Sequence, residues 1–132
     1  MLTDHQMEKL NTSTVSVDVL KENGLNNDYY IKPLVFIQEK LGFTPKCSAQ
    51  QYRHAVEMAN DEDICPENAD MNVIVDGILA FLFADQLEEC GINLLTYFTY
   101  RFYPPSPEFQ EKLDKFESLI RANGVEAWTP LP

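Results

Sequence analysis

The chain has 132 residues, with 21 Asp and Glu against 10 Lys and Arg, a formal net charge of −11. Its 45% hydrophobic and 23% charged residues exclude a disordered chain, and the length suits one acidic globular domain that can bury a core without cross-links. The longest unbroken apolar run, Ile78–Ala84, falls far short of the roughly 20 residues a membrane span needs, and the acidic balance opposes direct contact with nucleic acid.

In chain order, Thr3-x-x-Gln6 has the spacing of a capping box and predicts a short first helix, with Leu2, Met7 and Leu10 as its apolar stripe. Residues 14–20 are ambiguous. Val15, Val17 and Val19 alternate with polar residues as in a strand, whereas residues 18–24 read as a helix stopped at Asn23-Gly24. Without an evident pairing partner the helix is preferred, since a lone strand leaves backbone groups unsatisfied.

A third helix follows Asn26-Asn27-Asp28, with Leu34, Ile37 and Leu41 on one face, Gly42 at its end and Pro33 expected in its first turn. Thr44-Pro45 or Ser48-x-x-Gln51 starts a fourth, striped by Ala49, Tyr52, Val56 and Ala59. From about 70 to 90 the chain is apolar on almost every side, from Val73 to Leu87, which predicts a central helix enclosed by its neighbours and stopped by Gly91. Residues 92–103 fit either a strand or a helix, with the helix preferred. Ser106 then caps a last helix that has Pro107 in first position and Phe109, Leu113, Phe116 and Ile120 as its buried stripe. A short tail, 125–132, carries Trp128. The expected architecture is an all-α bundle of five to seven helices around the central apolar one.

The three cysteines, Cys47, Cys65 and Cys90, are odd in number, and the first residues lack the basic and apolar regions of a signal peptide. Reduced thiols in a cytoplasmic compartment are therefore expected. Spacings of 18 and 25 residues, without a CxxC, offer no zinc site, and no cofactor is expected.

Charge is the most uneven property of the chain. Between Ala55 and Tyr100 there are ten acidic residues and no Lys or Arg. Six of them, Glu57, Asp61, Glu62, Asp63, Glu67 and Asp70, crowd around one connection between helices. Like charges so placed repel one another, and their concentration points either to solubility or to a docking face for a basic partner. The cluster is not an EF-hand loop: counted from Asp61, the fifth, sixth and twelfth positions are Cys65, Pro66 and Asn72.

Candidate catalytic groups are sparse. His54 stands seven residues after Cys47 and three before Glu57, a partial arrangement for a Cys-His pair or a metal, although an exposed histidine is the plainer reading. His5 lies near the N-terminus. Asp76, set among apolar residues, is either a buried functional carboxylate or the solvent-facing line of its helix. No Walker loop, nucleophile elbow or HExxH motif is present. The aromatic stretch Tyr97, Phe98, Tyr100, Phe102 and Tyr103 has only Arg101 beside it, which fits core or protein contact better than base stacking.

The sequence therefore leads to a non-enzymatic binding protein. Its acidic face, Glu57 to Asp70, docks on and neutralises a basic protein such as a nuclease toxin. This is an analogy of bulk size and acidity with immunity proteins and nucleic-acid-mimicking inhibitors. The alternative is an interaction or chaperone-like module that binds through the apolar aromatic surface of 92–103, its charge serving solubility alone.

Overall fold

A computed structural model describes residues 2–61, 69–94, 97 and 106–122. The fold is all-α. Helix α1 (Asp4–Thr12) opens with the expected capping box: Thr3 Oγ1 accepts from the Gln6 N–H, and Gln6 Oε1 accepts from the Thr3 N–H. Helix α2 (Val17–Glu22) starts at Ser16, whose hydroxyl oxygen accepts from the Val19 N–H. The valine alternation ahead of it also has a structural basis. The Val15 N–H donates to Cys47 O at 2.8 Å and the Ala49 N–H to Ser13 O at 2.9 Å, closing a single antiparallel bridge between Thr14 and Ser48. The chain is thus extended up to Val15 and helical from Val17, and the bridge ties the start of α2 to the start of α4.

Helix α3 (Asp28–Leu41) corrects one expectation. It runs through Pro33, which is its sixth residue and not part of its first turn. A proline there cannot donate to the carbonyl four residues back, which interrupts the α3 ladder. Helix α4 (Ala49–Ala59), begun by the Ser48/Gln51 capping box, ties itself to α3 beside that interruption. The hydroxyl of the fully buried Tyr52 donates to Tyr30 O at 2.6 Å, three residues before the proline. Helix α3 ends as expected, at Gly42 in the left-handed region with φ 79°.

Helix α5 (Met71–Leu82) starts at Asp70, whose carboxylate accepts from the Val73 N–H, and helix α6 (Ala84–Glu89) follows a one-residue break at Phe83. The single helix expected over 70–90 is therefore two. No Gly or Pro marks the break, which carries Phe83 into the core, fully buried. Nor is the apolar segment enclosed on every side. Val75, Ile78, Leu79, Leu82 and Leu87 are buried, but Val73, Ile74 and Phe81 are only half-buried. Gly91, with φ 82°, ends α6, and its N–H donates to Glu88 O.

Of residues 92–103, Ile92, Asn93, Leu94 and Tyr97 are described. Leu94 and Tyr97 are helical, and the Tyr97 N–H donates to Asn93 O at 3.0 Å, as a helix requires. Helix α7 (Pro107–Ala122) is capped by Ser106, which accepts from the Phe109 N–H; Phe116 and Ile120 are buried while Phe109 and Leu113 pack at the margin. The remainder of 92–103 and the 125–132 tail with Trp128 lie outside the described residues.

One hydrophobic cluster runs from Leu10 to Ile120. Within it α5 packs most extensively on α4 and also touches α3 and α6; α1 and α3 flank α4, and α7 lies on α6. Among the described residues no helix is long and apolar enough to cross a membrane.

Candidate docking face

Of the six carboxylates in the acidic cluster, Glu57, Asp61 and Asp70 are described; Glu62, Asp63 and Glu67 lie outside the described residues. All three described members are exposed. Two already have work within the fold. Glu57 Oε1 accepts from the Tyr30 hydroxyl at 3.0 Å and lies 3.3 Å from Arg53 Nε. Burial, and then this carboxylate, push the Tyr30 pKa up. Asp70 caps α5 and offsets one of its unpaired backbone donors. Asp61 stands just beyond the C-terminal end of α4, where the helix dipole adds to the negative potential and no Lys or Arg lies in the last turn.

Sequence counting alone does not show which cations fold back on this acidic segment. Lys40 of α3 reaches Asp76, Nζ to Oδ1 2.7 Å, and the Tyr97 hydroxyl donates to the Asp76 carbonyl. Asp76 is thus half-exposed and paired to a neighbouring helix, not a carboxylate isolated in the core. At the other end, the Lys112 side chain lies over Gly91, and Lys115 is close enough to oppose the upward shift that burial gives the Cys90 thiol. Asp85, Glu88 and Glu89 are exposed on α6.

The other candidates resolve individually. Cys47 is buried, and burial pushes its thiol up to about 12, so at neutral pH it is held as a thiol and not as a nucleophilic thiolate. His54 is exposed on α4. Among the described residues no group of three or more His, Cys, Asp or Glu is arranged to hold a metal ion. His5 is exposed at the rim of a polar cleft of about 580 Å³ between α1 and α2, beside Lys9 and Glu22. From the aromatic stretch, Tyr97 is buried and hydrogen-bonded to α5, so at that residue the stretch serves the core.

A feature with no motif in the sequence is an apolar groove of about 240 Å³. Gln51, His54, Ala55 and Met58 of α4, Phe81 and Leu82 of α5, and Leu94 line it. The half-burial of Met58, Phe81 and Leu94 is its signature. A helical wheel identifies the stripe of each helix but not where two stripes fail to cover each other.

Comparison of the chain with protein-family models, with curated proteins and with solved structures found no match.

Proposed function

We propose that this chain is a non-catalytic binding protein that docks on a basic protein through its carboxylate-rich face and neutralises it. One observation carries the reading: ten acidic residues and no basic one between Ala55 and Tyr100. So lopsided a segment costs self-repulsion, which a cationic partner would relieve. Supporting it, Asp61, Asp70, Asp85, Glu88 and Glu89 are exposed, while the buried Cys47 thiol argues against thiolate chemistry at that residue. Small size and strong acidity are also the bulk properties of immunity proteins that block nuclease toxins. The proposal includes a cytoplasmic setting in which the thiols stay reduced.

Affinity capture from native lysate at low and high salt, with the captured protein identified by mass spectrometry, tests the reading. A basic protein retained at low salt and released at high salt is the expected result. Capture of a neutral or acidic protein, indifferent to salt, would contradict it.

A further inference from the structure

We propose that the polar cleft between α1 and α2 binds a small zwitterion, an ammonium and a carboxylate on one skeleton as in a free amino acid. At about 580 Å³ the cleft falls within the roughly 300–1,000 Å³ typical of small-molecule sites. It lies outside the acidic segment, and the inference does not depend on the docking reading.

The two walls differ in hydrogen-bonding character. On α1, His5 and Lys9 are four positions apart, so an imidazole N–H and an ammonium share one side of the helix. Gln6 commits its Oε1 to the Thr3 N–H, which leaves its Nε2 as a third donor. The α2 wall accepts instead. Glu22 presents an exposed carboxylate, and beside it Asn23, the residue that ends α2, is only 8% exposed. Asn23 is the one buried polar side chain among the described residues. Its Nδ2 donates to Val19 O at 2.8 Å. Its Oδ1 accepts no hydrogen bond among the described residues and is not sealed from solvent, so a donor held in the cleft can reach it.

Charge completes the argument. Lys9 and Glu22 line the same cleft, yet neither forms an ion pair among the described residues. A guest carrying both complementary charges would bridge them, its carboxylate towards Lys9 and His5, its ammonium towards Glu22 and Asn23 Oδ1. A guest of one charge alone would be attracted by one wall and opposed by the other.

The test titrates the full chain with each of the common amino acids in turn and follows the side-chain amide resonances of Asn23. At least one amino acid is expected to shift them saturably at millimolar concentration. Its N-acetyl derivative, without the ammonium, and its carboxamide, without the carboxylate, should each bind at least about tenfold more weakly, as loss of a hydrogen bond to a charged group implies. Lys9→Gln should weaken the amino acid equally and leave the carboxamide's affinity unchanged; Glu22→Gln should do the same with respect to the N-acetyl derivative. Both side chains are exposed, so both variants should fold, and the two derivatives on the parent chain decide if either does not.

Failure of every amino acid to shift the Asn23 amide would overturn the proposal. So would equal binding of the amino acid and either derivative, since a guest held by one end is merely attracted to a charged wall. Retention of full affinity by Lys9→Gln or Glu22→Gln would overturn it as well.

Discussion

Tyr52 shows how one buried hydroxyl can tie two helices together. Its hydroxyl reaches α3 beside Pro33 and donates to Tyr30 O. Tyr52→Phe keeps the ring but removes the hydroxyl's bond to Tyr30 O, so a loss of about 1 kcal/mol in urea unfolding is expected. A change below about 0.5 kcal/mol, within the range of ordinary surface substitutions, would mean the bond to Tyr30 O adds nothing to stability. Nothing in the sequence joins Tyr52 to Pro33. The stripe shows that Tyr52 faces inward, but the carbonyl it bonds belongs to a different helix, and such pairs become visible only in three dimensions. Asp76 was similarly opaque, because its neighbours in sequence are apolar while its neighbour in space is Lys40.

Cys47 carries a pH prediction at the same scale. Its folded pKa of about 12 lies above the roughly 8.5 of an unfolded cysteine, so the unfolded chain loses this proton first. The stabilisation is complete below about pH 8.5 and is lost as pH rises towards about 12. Denaturation series from about pH 8 to pH 11 should show a shallower decline for Cys47→Ala than for the parent chain, although burial also raises Tyr52 and Cys90 and keeps some slope in both. Parallel declines would contradict the assignment.

Among elements, helix starts were the most legible feature, because a cap is local chemistry. Thr3/Gln6, Ser48/Gln51 and Ser106 act where their spacing predicts, and Gly42 and Gly91 stop helices where expected. The break at Phe83 was not legible, since an uninterrupted apolar run does not record where the helix changes direction to bury a ring. The extended residues before α2 were half legible: the valine alternation was visible, but their partner at Cys47–Ala49 is remote in sequence. Ser48 lies where this bridge meets the α4 cap. Ser48→Ala removes the side-chain cap and spares the backbone bridge, and should cost about 1 kcal/mol by thermal or urea unfolding. Thr3→Ala, at the exposed start of α1, should cost less; a reversed order would show that the α4 cap is not the more important of the two.

For the whole molecule, the uneven charge in the sequence survives folding only in part. Arg53 and Tyr30 engage Glu57, Lys40 engages Asp76, and α7 brings Lys112 and Lys115 to the far end of the acidic segment. Reversal of Glu57 or Asp70 would therefore disturb folding as well as docking. The control must also be chosen from the structure. Glu108 lies in the first turn of α7 and Asp114 accepts from Gln110, whereas Glu8, Glu22 and Glu39 are exposed and lie outside the acidic segment.

The docking claim is tested most directly by the association rate with the captured basic partner, measured by stopped flow across a range of ionic strength. Exposed charges are screened beyond a Debye length of about 8 Å at physiological salt, so a steered encounter must slow steeply as salt rises. The account predicts that steep fall in the parent chain. It also predicts association at least about tenfold slower at low salt for D61K/E62K/D63K, and a clearly smaller slowing for E8K/E22K/E39K. Equal rates for the two triple variants, or a parent rate flat in salt, would contradict it.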